Sequence, residues 1–291
     1  MRQGSVLHVS LLTCIALLAF AGNSVLCRLA LGGNAVDAGS FTVIRLLSGS
    51  ITLLAILLCV EARTRHRTVR PSLPTSLRAA GSWFSALMLF LYALCFSYAY
   101  LSLDTGTGAL ILFGAVQITM ILLSLLSGQR LQSFEWLGML VAFAGFVYLV
   151  LPGVQTPSLS GFLLMTLAGI AWGVYTLKGR GASSPLRTTA ANFLRTVPLV
   201  LLLLVLVVWD ATLSTPGVLL AIASGALASG AGYAVWYMAL RDLSATQAAA
   251  GGVVFADEAL SARLVVSAAL VLGGILLVVM GRYFRPAVAR R

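Results

Sequence analysis

Long apolar runs separated by short polar joints set the pattern of this chain. A helix crossing a hydrocarbon core of ~30 Å needs about 20 apolar residues. On that measure the sequence predicts spans at 6–30, 39–61, 80–102, 106–127, 134–151, 161–178, 190–209, 217–240, 244–256 and 261–281. Turn formers mark the joints at Gly32-Gly33, Pro71, Pro74, Pro152, Pro157, Pro185 and Pro216. Pro198 lies inside the seventh run, where a membrane helix tolerates a kink. The ninth run breaks the pattern. "SATQAAAGGVVFADEALSAR" (244–263) offers thirteen weakly apolar residues before Asp257-Glu258. That is about 20 Å of helix where about 30 Å is required.

Two stretches of chain resemble each other through these runs. "LLAFAGNSVLCR" (17–28) parallels "LAGIAWGVYTLK" (167–178), and "FTVIRLL" (41–47) parallels "ANFLRTV" (191–197), which sets Arg45 against Arg195. "YLSLDTGTGAL" (100–110) pairs with "LRDLSATQAAA" (240–250) at an offset of 140. "RLQSFEWLGMLVAFAGF" (130–146) pairs with "EALSARLVVSAALVLGG" (258–274), with Leu131 against Leu260 and Gly145 against Gly274 at an offset of 129, so the second copy lacks 11 residues between those anchors. That deficit is about three helical turns and falls in the ninth span. Three accounts of it compete: a deletion that impairs transport, a bilayer thinned around a stub, or chain missing from the sequence as written. A Cα–Cα step above ~3.8 Å between Ala248 and Val254 would mark the last. Five spans per copy is an odd number, so the second copy runs upside down. Inverted repeats of this kind recur in secondary transporters. The expected architecture is an all-α membrane protein: ten transmembrane helices in two inverted five-helix repeats, 1–153 and 154–291, around a central cavity.

Charge orients that bundle. The net charge is +11, from 18 Arg, one Lys and eight acids, yet only 9% of residues are charged where a soluble domain carries about 25%. The bases collect in alternate short loops: Arg63, Arg65, Arg67, Arg70 and Arg78; Arg130; Lys178, Arg180 and Arg187; Arg241; and the tail from Arg282 to Arg291. Arg28, Arg45 and Arg263 fall on the other side. The positive-inside rule then puts both termini in the cytoplasm and the protein in the cytoplasmic (inner) membrane as a multi-pass chain. The first run is too long for a signal-peptide core. No basic face is left on a soluble module, so nucleic acid is not an expected partner. The four cysteines lie in or beside apolar runs with no CxxC spacing and read as small hydrophobes.

The chain resembles the drug/metabolite transporter superfamily, in particular its ten-helix EamA-type exporters. The carriers of the resemblance are "FTVIRLL", "YLSLDTGTGALI", "LGMLVAFAGFVYLV", "AGIAWGVYTLKGR", "WYMALRDLSATQAA" and "FADEALSARLVVSAALVLGGILLVV". Among its branches it is most similar to the aromatic amino acid exporters (the YddG type). The resemblance implies a cavity formed mainly by spans one, three, four, six, eight and nine. The short ninth span departs from the family, which has a full helix there.

Candidate chemistry is sparse. His8 and His66 lie outside the membrane core, and none of the eight carboxylates is mid-span. Neither an intramembrane protease nor any other enzyme is expected, and no metal or cofactor. Proton-driven carriers usually hold a membrane carboxylate or histidine as a relay. Its absence points to a facilitator or exchanger. Phe84, Met88, Tyr92, Phe96 and Tyr100 recur every four residues in span three. Trp172 and Tyr175 follow in span six, and Tyr233, Trp236 and Tyr237 in span eight. Tyr92, Phe96, Trp172, Tyr175, Tyr233 and Trp236 are candidate cavity residues, since phenol and indole rings combine an apolar face with a polar handle. Tyr100, Trp83 and Trp209, near span ends, are expected in the headgroup belt. Of the polar residues at depth, Asn23 and Gln117 are the candidate substrate contacts, because an amide both donates and accepts. Arg45 and Arg195 lie about a turn and a half inside their spans. Each either snorkels to the headgroups or serves as a gate or carboxylate partner. Gly169-xxx-Gly173 and the Ala221, Gly225, Ser229 ladder invite close helix packing.

The expected function is export of small amphipathic metabolites, aromatic and hydrophobic amino acids foremost, by alternating access. Its partners are the small-molecule substrate and the membrane lipids, and the carrier is expected to be a monomer. A sugar-phosphate or nucleotide-sugar carrier of the same superfamily is the rival, though one Lys and two shallow Arg supply few cations for it. A non-transporting structural membrane protein is the alternative from another class.

Overall fold

The computed structural model describes residues 6–64, 77–128, 133–150, 157–180, 182–239, 266–267, 269–270 and 273–274. The ninth span, including the step from Ala248 to Val254, lies outside the described residues, as does most of the tenth. Each of the first eight predicted spans holds a helix: α1 (Val6–Gly32), α2 (Ala38–Thr64), α3 (Trp83–Ala99), α4 (Thr105–Leu126), α5 (Ser133–Val150), α6 (Leu159–Gly179) and α7 (Pro185–Val207). The eighth span is wound in three parts: α8 (Thr215–Ala223), a π-helical segment (Ser224–Ala231) and α9 (Gly232–Ala239). Among the described residues the only β contact is an isolated bridge between Val36 and Leu213. Five of the described helical stretches are long and apolar enough to cross a membrane.

Serine side chains start several helices. Ser82, Ser158 and Ser214 each accept a hydrogen bond from the backbone N–H three residues on, at 3.0–3.2 Å. Asn34 ends α1 in the left-handed region at φ 51°, which an asparagine tolerates. Asp37 then does two jobs. One carboxylate oxygen accepts from Ser40 N at 2.8 Å, capping α2, and the other accepts from Thr212 N at 3.0 Å. Asp37 N donates to Thr212 O and Ser214 N to Ala35 O, so the α1–α2 turn is strapped to the segment before α8. Asp37→Ala is expected to cost about 1–2 kcal/mol, seen as a lower unfolding midpoint in detergent, with Asp37→Asn recovering most of the cap.

Helices α2 and α7 run antiparallel. The start of α2 meets the end of α7, where Gly39 leaves room only for Val207, and its end meets the start of α7 through the Arg187–Glu61 ion pair at 2.9 Å. Helix α3 is antiparallel to α6. Its C-terminal turn touches the α6 start through Ser158 and Ser102, whose hydroxyls lie 2.7 Å apart, and Phe84 near its start faces Lys178 at the α6 end. Helix α1 packs antiparallel on the eighth span: its end lies at Gly217, and Ala19 lies at Gly232. Small residues permit these approaches, as their spacing predicted. A Cβ at Gly169 would fall 2.5 Å from Ala115 Cβ and 2.8 Å from Leu112 O on α4. At Gly274 it would fall 2.3 Å from Gly138 O, joining the tenth span to α5. The Phe193 carbonyl accepts the hydroxyls of Thr196 and Ser50, and the Ser50 bond ties α2 to α7 one turn before Pro198.

Candidate functional site

The site begins with Arg45 on α2. Its side chain does not snorkel: only 1% of the residue is exposed. Two close approaches put it there. Gly225 of the π segment rests on Arg45 O, where a Cβ would come within 2.2 Å, and Gly49 rests on the Phe193 ring. With the neighbouring helices this near, the guanidinium has no path to the headgroups. Its Nε donates to Ser229 Oγ at 3.1 Å and its Nη2 to Tyr92 Oη at 2.9 Å. The guanidinium carbon lies over Phe96 at 4.8 Å from the ring centre and over Tyr92 at 5.2 Å. Such contacts are worth about 2 kcal/mol when desolvated. Nη1 has no hydrogen-bond partner among the described residues. Arg45 is also the only charged residue among the described buried ones.

Aromatic rings extend from Arg45 in a connected set. Tyr92 stacks on Trp172 at 5.4 Å. Trp172 takes Phe20 edge-on at 5.1 Å, Phe113 at 5.7 Å and Tyr233 at 6.5 Å. Tyr233 meets Tyr175 at 5.9 Å and Phe193 at 5.7 Å, and Phe96 meets Tyr100 at 4.8 Å. The rings come from α1, α3, α4, α6, α7 and α9, and the cluster lies where those helices converge. The Trp172 indole N–H is buried without a partner among the described residues.

Of the candidate residues, Tyr92, Phe96, Trp172, Tyr175 and Tyr233 are buried together with Arg45. Asn23 lies one turn from Phe20 and accepts the Ser224 hydroxyl at 2.6 Å, tying α1 to the π segment. Gln117 is buried on α4, one turn beyond Phe113. The side chain of Trp236 lies outside the described residues. Arg195 stands apart from the cluster: its guanidinium donates to the carbonyls of Leu77, Arg78 and Ala80 and holds the segment before α3 against α7. Ser82 N donates to Asn192 Oδ1 at 2.9 Å in the same clasp.

Tyr100 corrects an expectation. It is fully buried rather than at a membrane surface, and its hydroxyl donates to Thr105 O at 3.3 Å. The reason is geometric: steps of four residues advance about 40° each around a helix, so the α3 ridge turns about 160° from Phe84 to Tyr100. Phe84 is exposed at one end and Tyr100 is buried at the other. Trp83 and Trp209 are exposed, at 63% and 88%. Phe20, Phe113 and Phe193 belong to the cluster without having been singled out from the sequence.

The four acids with described side chains lie at helix ends. Asp104 pairs with Arg28 at 3.6 Å, and Arg28 also donates to Tyr100 O at 3.2 Å. Glu61 pairs with Arg187, Asp37 holds the strap, and Asp210 is exposed.

The sequence profile of the EamA-like transporter family matches residues 8–151. The uncharacterised protein PA1977 of Pseudomonas aeruginosa is 49% identical over 288 aligned positions, which take in 95% of this chain and 96% of that protein. Since 95% of 291 residues is about 276, about a dozen of those positions have no counterpart in this chain. A crystal structure of a protein with 18% identity has the same fold, with a TM-score of 0.65, and covers 98% of this chain and 100% of that one. The chain belongs to the EamA-like transporter family, a family of membrane transporters within the drug/metabolite superfamily.

Proposed function

We propose that this protein is a facilitative exporter of small amphipathic solutes, aromatic and hydrophobic amino acids foremost, of the kind handled by the aromatic amino acid exporter branch. Transport proceeds by alternating access between two inverted repeats, 1–153 and 154–291, in the cytoplasmic membrane with both termini cytoplasmic. The observation that carries the reading is the buried Arg45 guanidinium set in a wall of aromatic rings drawn from both halves. A ring-bearing solute meets faces and edges there, and its carboxylate meets a cation. Tyr92, Phe96, Trp172, Tyr175 and Tyr233 line the path, with Asn23 and Gln117 as amide contacts, and Trp236 is assigned to it from its place in the sequence. Arg45 is the carboxylate partner, while Arg195 guards a mouth of the path.

Helix contacts support the repeat. Exchanging the halves maps α3 on α6 onto the eighth span on α1, α2 on the eighth span onto α7 on α3, and the antiparallel α2–α7 pair onto itself. All of these contacts are present. About a dozen unmatched positions against PA1977 agree in size with the 11 residues by which the second copy is short. A sugar-phosphate carrier would need several buried cations. Among the described residues Arg45 is alone.

Counterflow in proteoliposomes tests the reading. Vesicles preloaded with L-phenylalanine or L-leucine should accumulate the labelled amino acid transiently, and a pH gradient alone should drive no uphill uptake. Absence of counterflow for every aromatic and aliphatic amino acid would remove the substrate assignment. Accumulation on the pH gradient would remove the facilitator mechanism.

A further inference from the structure

Resting on that reading of the Arg45 site, we infer that the site reads the carboxylate of its ligand and not the α-ammonium, so that aryl monocarboxylates lacking the amino group are ligands in their own right. The geometry supplies half of an amino-acid site. Nη1 of Arg45 is buried and unpartnered among the described residues, while Nε and Nη2 are held by Ser229 and Tyr92. A carboxylate oxygen at Nη1 would complete the guanidinium and neutralise a charge that is otherwise costly to bury. The indole N–H of Trp172 is the second unpartnered donor, on the ring that stacks with Tyr92. Both open groups donate, which suits an anion.

Among the described residues no carboxylate is placed to receive a cation beside Arg45. The four acids with described side chains are at helix ends, engaged with Arg28, Arg187 and the strap or exposed. The buried polar groups around Arg45 are neutral hydroxyls and amides. The Tyr92 and Phe96 faces that could receive an ammonium by cation–π contact already receive the guanidinium. An α-ammonium attached one carbon from the docked carboxylate also stands close to Arg45, and like charges in a low-dielectric site repel. Deleting the amino group therefore removes a repulsion and a desolvation cost and loses no charged partner among the described residues. Deleting the carboxylate leaves the guanidinium bare.

The test is binding to the purified full chain in detergent micelles, by titration calorimetry, with L-phenylalanine, 3-phenylpropanoate and phenethylamine. The two carboxylates should bind within about tenfold of each other and phenethylamine at least about tenfold more weakly than either. Arg45→Gln should weaken 3-phenylpropanoate by at least about tenfold, and Arg45→Lys, which keeps charge without the planar fork, should fall between. The ligand series on the unaltered protein decides the matter even where a variant does not fold. Phenethylamine matching L-phenylalanine while 3-phenylpropanoate fails overturns the inference. So does failure of 3-phenylpropanoate with L-phenylalanine counterflow intact, and that result leaves the exporter reading standing. Loss of both counterflow and all binding removes both.

Discussion

Trp172→Ala is expected to lower aromatic amino acid counterflow by at least about tenfold and to destabilise the folded protein by about 3–5 kcal/mol. The indole is the hub of the ring cluster, touching Phe20 of α1, Tyr92 of α3, Phe113 of α4 and Tyr233 of α9. Removing it opens a void where α6 meets four other helices and takes away the buried N–H donor. Trp172→Phe separates the two losses. It keeps a ring against Tyr92 and most of the packing, so stability should recover more than transport does. The measurements are counterflow at matched protein density and the unfolding midpoint. Undiminished transport in Trp172→Ala would place the substrate path elsewhere.

Gly225→Val should be more severe for folding than for any single contact. A Cβ at this position would meet Ser48 Oγ at 1.9 Å and Arg45 O at 2.2 Å. One of these neighbours is backbone, so relief requires α2 and the π segment to move apart. Overpacking of this kind costs about 1–3 kcal/mol, and more where backbone must shift. The shift would also draw Arg45 from Ser229 and Tyr92. The expected result is a low yield of monodisperse protein by size exclusion and no counterflow from what remains. Gly22→Ala is the control: a Cβ there meets no atom within 4 Å, and alanine favours the helix by about 1 kcal/mol. A well-folded, active Gly225→Val would mean that the two helices do not approach as closely as described.

The apolar runs made most of the fold legible. Span length needs only hydropathy, and α2 to α7 fall close to their predicted limits. Part of the ring cluster around Arg45 was legible as well. Tyr92, Phe96 and Trp172 stood out because aromatic rings at helical spacing contrast with Leu and Val. Arg45 stood out as a charge within a span, yet its fate turned on a distant glycine. Whether an arginine snorkels depends on how near its neighbours come, and Gly225 lies 180 residues further on. Phe20, Phe113 and Phe193 gave no signal, because a phenylalanine in an all-apolar run looks the same facing lipid or core. Arg45 and Arg195 occupy matched sequence positions but differ in surroundings: one meets rings, the other meets the carbonyls of 77–80. The π segment was equally silent, since "SGALASGA" reads as an ordinary helix.

That winding carries its own consequence. Ser224 reaches Asn23 on α1, and Ser229, five residues later, reaches Arg45 on α2. In an ordinary α-helix residues five apart point about 140° from each other. The i→i+5 bonding of a π-helix brings them nearer one side. Rewinding this stretch would make the hydroxyl latch on Arg45 and the Asn23 tether compete, so the helix could keep one only by releasing the other. The wider winding thus lets one short stretch hold α1 and α2 at the same time, through Asn23 and through Arg45.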